Sequence, residues 1–90
     1  MKIEFNGWDY EVIPTDQGTE EMCKKRDWVA QYLRPLMKSA DRDITDVQYY
    51  LCDGMMELVV VYYDEHLYEA VNVCADSPRG IAYDVIRQIF

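Results

Sequence analysis

Apolar and polar residues alternate strictly over residues 1–12, on either side of Asn6-Gly7, in a segment that runs to Ile13. This dipeptide suits a type I′ turn, which needs positive φ at both central positions. The turn fixes the pairing of a β-hairpin. Phe5 faces Trp8, Ile3 faces Tyr10 and Met1 faces Val12 on one side. Lys2 faces Glu11 and Glu4 faces Asp9 on the other. One face is therefore apolar and the other wet, as in a half-buried antiparallel sheet. Pro14 ends the strand, and residues 14–19 read as loop.

The period then changes. Met22, Val29, Leu33, Leu36, Met37 and Ala40 recur at helical spacing, flanked by Trp28 and Tyr32. Thr19 is the expected N-cap, and Glu20 and Glu21 suit the positive end of the helix dipole. Pro35 cannot donate to residue 31, so a kink or break is expected near residue 34, with the helix resuming to about residue 39. At the other end of the chain, Ser77-Pro78 is a helix start, and Ile81, Val85, Ile86 and Ile89 form its apolar stripe.

Between the helices, residues 47–74 read as a three-stranded meander. A two-residue turn at Asp53-Gly54 predicts Leu51 opposite Met56, Tyr49 opposite Leu58 and Val47 opposite Val60 on one face. A two- or four-residue turn around Asp64-Glu65-His66 then adds Leu67, Val71 and Val73 to that face, with Glu69 at its rim. The order β-β-α-β-β-β-α predicts an α+β fold over 1–90, one domain with an antiparallel sheet of about five strands and both helices on one face. The opposite face receives Tyr50, Cys52, Met55, Val59, Val61, Tyr63, Tyr68, Ala70 and Cys74, interrupted by Gln48, Glu57 and Asn72. That is too apolar for a wet face, and a patch of several hundred Å² marks an interaction surface. The candidates to cover it are the first hairpin, a second copy or a foreign partner.

Charge narrows the partners. Seventeen Asp+Glu stand against nine Lys+Arg, for a net charge of −8. This field opposes direct binding of nucleic acid or an anionic membrane and favours a basic protein. No apolar run approaches the roughly 20 residues of a membrane span. A charged start followed by an apolar run is also missing, so the expected compartment is the cytoplasm. The three cysteines, Cys23, Cys52 and Cys74, lack ligand spacing and read as half-buried thiols. The acids of Asp41-Arg42-Asp43-Ile44-Thr45-Asp46 lack the glycine and the spacing of a calcium loop and read as solvated. Lys24-Lys25-Arg26 reads as a surface cluster paired with Glu20, Glu21, Asp27 or loop acids. His66, the one histidine, falls in a turn. No phosphate loop, nucleophile with a base, cofactor motif or metal cluster is present, so no enzyme is expected.

Residues 19–90, in the order α-β-β-β-α, are similar to the double-stranded RNA-binding domain. That family's RNA contacts depend on a lysine-rich start to the second helix. Here the start is Asp76-Ser77-Pro78-Arg79-Gly80-Ile81-Ala82-Tyr83, with a single arginine, so the resemblance implies topology and not RNA binding. In type, a small, acidic, tyrosine-rich chain also resembles accessory proteins of phages and mobile elements, some of which mimic nucleic acid to block basic host proteins, anti-CRISPR proteins among them. The expected function is thus a non-enzymatic acidic protein-binding module. Its expected contacts are Tyr50, Glu57, Val59, Val61, Tyr63 and Tyr68 on the open sheet face, with Asp41, Asp43, Asp46, Asp64 and Glu65 as acidic rim. The alternative is a structural homodimer through the same face.

Overall fold

In the computed structural model, which describes residues 1–90, the first turn forms as its chemistry demands. Asn6 and Gly7 take φ of 52° and 81°. They join β1 (Lys2–Phe5) to β2 (Trp8–Ile13) in the expected register, Ile3 opposite Tyr10 and Phe5 opposite Trp8.

The first helix starts at Thr19, whose hydroxyl accepts the Met22 amide at 3.2 Å. Its first part is α1 (Glu20–Trp28), its second α2 (Arg34–Ala40), and a π-helical turn at Val29–Leu33 joins them. The Arg34 amide reaches back to the Val29 carbonyl. This wider turn accommodates Pro35, whose ring would otherwise clash with the carbonyl of residue 31. The expected kink is thus a continuous helix with one loosened turn. That turn also rotates the residues beyond it, so Met37 is buried against the sheet while Leu36 is exposed.

Strands β3 (Asp46–Cys52), β4 (Met56–Tyr62) and β5 (Tyr68–Asn72) follow, then α3 (Pro78–Ile89), capped by the Ser77 hydroxyl accepting from the Gly80 amide at 3.3 Å. All five strands are antiparallel in the order β1-β2-β3-β4-β5. This is the α+β architecture expected, with α3 and the joined α1–α2 as its two helices.

The meander's register differs from expectation by one residue. The turn after β3 has three residues, Asp53-Gly54-Met55, with Gly54 at φ 75° and Met55 at φ 61°. Cys52 therefore pairs with Met56, Tyr49 with Val59 and Val47 with Val61. The β4 segment Met56-Glu57-Leu58-Val59-Val60-Val61-Tyr62 is apolar at nearly every position, so its pattern cannot say which face is which. Glu57, Val59 and Val61 consequently lie under the helices and are buried. They are corrected from surface residues to core, and Tyr63, expected with them on the open face, is corrected to the helix side, where it packs partly buried against the same cluster. The second turn is also odd in length: the Tyr63 amide bonds the Leu67 carbonyl at 2.8 Å around Asp64-Glu65-His66. The second odd turn cancels the first for β5, so Val71 and Val73 reach the helix-side core as expected. Leu67 is exposed instead of buried, and Glu69 lies exposed at the edge.

Two apolar clusters sandwich the sheet. Val29, Leu33 and Met37 from the first helix and Ile81 and Val85 from α3 pack on Val47, Tyr49, Val59, Val61, Val71 and Val73. On the far face, Ile3 packs with Cys52, Leu58 and Val60. β2 pairs with β3 only through Val12–Cys52 and Ile13–Leu51. Beyond that short seam the first hairpin swings across the sheet, until the Glu4 amide donates to the Tyr68 hydroxyl at 2.8 Å and joins β1 to β5. Of the three candidates to cover the second face, the first hairpin is the one that does so.

Candidate protein-binding surface

Tyr50 and Tyr68 remain on the hairpin side of the sheet, half-buried. The register slip brings Tyr62 between them. The Tyr50 and Tyr62 hydroxyls are 3.0 Å apart, and the Tyr62 and Tyr68 rings are 5.7 Å apart and tilted by 56°. Burial first, and then the bond to Tyr62, hold the Tyr50 phenol protonated far above its ordinary range. This tyrosine row presents hydroxyls and ring edges, not charge. The three-residue turn is what puts Tyr62 on this face.

The row opens onto a shallow recess at the end of the sheet where β3 starts and β4 stops, and a second recess adjoins it. One, of about 330 Å³, is lined by Thr45, Asp46, Gln48, Tyr50, Tyr62, Asp64 and Glu65. The other, of about 480 Å³, is lined by Arg42, Asp43, Thr45, Tyr63, Asp64 and Leu67. Thr45 and Asp64 belong to both. Thr45 fixes the first loop to β4, because its amide and its hydroxyl both donate to the Tyr62 carbonyl, at 2.8 and 3.1 Å. Asp64 fixes the second loop by accepting the His66 and Leu67 amides, at 2.7 Å each. Those two bonds favour its charged form and lower its pKa.

Two acidic runs far apart in sequence are thus brought to one place. Asp46 accepts from the Val47 amide and from Gln48 Nε2, leaving Arg34 Nη1 as a loose neighbour at 3.9 Å. Asp41 accepts the Asp43 amide at 2.9 Å, which turns Asp43 outward and exposed. Tyr63 closes the far side; burial raises its pKa first, and Glu69 and Asp41 add to the rise. Four carboxylates, Asp43, Asp46, Asp64 and Glu65, therefore line the recesses, against Arg42 in the lining and Arg34 beside Asp46. Of the expected contact residues, Tyr50, Tyr63, Asp43, Asp46, Asp64 and Glu65 line these recesses. Tyr68 borders them through Tyr62, and Asp41 anchors the loop. Glu57, Val59 and Val61 have no part in the surface.

Glu57 belongs to a different arrangement. Lys25 Nζ lies 2.9 Å from Glu57 Oε1, with side chains only 11% and 6% exposed. The Tyr49 hydroxyl donates to the same oxygen at 2.6 Å, and the Glu57 amide donates to Cys74 Sγ at 3.1 Å. Burial raises the Tyr49 phenol and the bond to Glu57 raises it further, so it stays protonated. The basic cluster is therefore divided: Lys24 and Arg26 pair with surface acids, as expected, whereas Lys25 points inward. The signal in sequence was Glu57, the one acid in the β4 run. Once on the helix side it requires a cation from the helix above.

Cys52 is buried, and burial pushes its thiol up; neither it, Cys74 nor His66 lines a recess. No three His, Cys, Asp or Glu side chains are placed to hold a metal ion, and no helix is long and apolar enough to cross a membrane. Comparison of the chain with protein-family models, with curated proteins and with solved structures finds no match.

Proposed function

We propose that this chain is an acidic protein-binding module that docks a basic protein surface against its two acidic loops and the tyrosine row. The observation that carries the reading is the convergence of Thr45 and Asp46 with Asp64 and Glu65 on the Tyr50–Tyr62 hydroxyl pair, with Asp43 in the adjoining recess. Carboxylates spaced around a half-buried aromatic row offer what an arginine-rich surface seeks: charge at the rim and rings at the centre. A surface built to bind nucleic acid has that chemistry, so the reading includes a nucleic-acid mimic acting as an inhibitor. It assigns the chain no catalytic step.

A labelled arginine-rich peptide tests this by fluorescence anisotropy. Raising salt from about 50 to about 200 mM should weaken binding at least ~10-fold, because the contacts replace phosphate-like ones. The pair Asp43→Asn with Glu65→Gln should weaken it further. The pair Glu20→Gln with Glu21→Gln, which removes the same charge on α1, should not. Equal loss from both pairs reduces the effect to net charge, and affinity indifferent to salt refutes the proposal.

A further inference from the structure

The outer face of the helical layer carries a groove of about 300 Å³ lined only by Leu36, Met37, Ala40, Ile86 and Phe90. Buried Met37 is its floor. Leu36 and Ala40 of α2 form one wall; Ile86, with Phe90 just beyond α3, forms the other. Leu36 and Phe90 are 56% and 59% exposed, and Tyr32 and Tyr83, each one turn before the groove, are 59% and 65% exposed. Aromatic side chains carry roughly 150–250 Å² each, so the three rings together expose about 300–400 Å². Leu36 and Ile86 bring the patch to on the order of 500 Å², the upper range for a monomer.

We infer that this face is the interface between two copies of the chain, related by a two-fold axis. Area is the first argument. A standard interface takes about 800 Å² per partner; this patch supplies on the order of 500 Å² of it, and Pro35, Ser39, Arg79 and Arg87 are exposed flanking residues that can supply more. Shape is the second. A two-fold contact needs a projection and a recess on the same patch, and here exposed Leu36 and Phe90 flank a groove floored by buried Met37. Charge is the third. Each copy carries −8, yet no acidic side chain lines the groove, so two copies meet where side-chain repulsion is weakest. Arg87 stacks on Tyr83 at 5.3 Å and lies 3.5 Å from Asp84, a pair that two copies can exchange across the axis. The groove shares no lining residue with the acidic recesses, so this inference and the proposed function stand or fall separately.

Sedimentation equilibrium of the full chain, from about 10 μM to about 1 mM, is the test. The mass should rise from the 10.7 kDa of one chain toward twice that value. Leu36→Lys and Ile86→Lys should each hold it at one chain with an unchanged circular dichroism spectrum. Met55→Lys, at an exposed apolar residue outside the groove, should leave the rise intact. Should the groove variants misfold, wild-type amide shifts decide: dilution shifts confined to residues 32–40 and 83–90 support the dimer. A single-chain mass throughout, a dimer that survives both groove variants, or dilution shifts elsewhere overturns it. So does a wild type that stays single while an acidic amphipathic peptide occupies the groove.

Discussion

Replacing Lys25 by Met removes the cation from Glu57 while keeping most of the apolar stem that packs beside it. Glu57 is then left 6% exposed with only the Tyr49 hydroxyl, at 2.6 Å, on its carboxylate. Breaking a buried pair from one side costs about 3–5 kcal/mol. A chain of 90 residues has a total stability of about 5–13 kcal/mol, so the variant loses a large share of it. Removing both charges, as Lys25→Met with Glu57→Leu, should restore most of that loss, because an apolar pair of similar volume is near neutral. Tyr49→Phe alone should cost about 1.5–3 kcal/mol, the range for a hydrogen bond to a charged group. Urea unfolding followed by circular dichroism gives each value from the midpoint at constant slope. A loss under about 1 kcal/mol for Lys25→Met, or a double variant as unstable as the sum of the singles, would contradict the buried pair and the register that creates it.

Three further outcomes follow from local geometry. A Cβ on Gly18 would stand 2.5 Å from Met22 Sδ and 2.8 Å from Leu51 Cδ2, so Gly18→Ala should cost about 1–3 kcal/mol in the same urea assay. Ala75 sits at φ 70°, a conformation that strains any Cβ, so Ala75→Gly should gain up to about 1 kcal/mol. Asp76 has an unpartnered buried oxygen, and burial, then the neighbouring Asp84 carboxylate, raise its pKa. A carboxyl raised in the folded state favours folding below its unfolded pKa of about 3.9 and loses that advantage as pH rises through the folded value. Asp76→Asn should therefore raise the melting temperature at pH 7 and change it little near pH 3.5.

How much of this was legible in the sequence differed by element. Asn6-Gly7 and Ser77-Pro78 are chemistries with one good structural answer, and they placed the first hairpin and α3 correctly. Pro35 announced a disturbance, but propensity does not say whether a helix breaks or loosens; a π turn absorbed it. Leu36, rotated outward beyond the π turn, and Ile86, at the margin of the α3 stripe, line the outer groove instead of the core. The largest error came from β4. A strand buried on both faces carries no period, and Asp53-Gly54 fits a two-residue turn as well as the first half of a three-residue one. One residue of slip moved Glu57, Val59 and Val61 from surface to core. The acidic loops were robust to it, since turns stay at the surface in either register. Their convergence was not legible, because it depends on β3 and β4 ending side by side.

The most direct test is an amide shift map of the isotopically labelled chain as an arginine-rich peptide is added at low salt. Shifts concentrated at Thr45, Asp46, Tyr50, Tyr62, Asp64 and Glu65, and lost as salt is raised, are the predicted result. Shifts spread over Glu20, Glu21 and the other surface acids, or absent from the Tyr50–Tyr62 pair, would contradict a built docking surface.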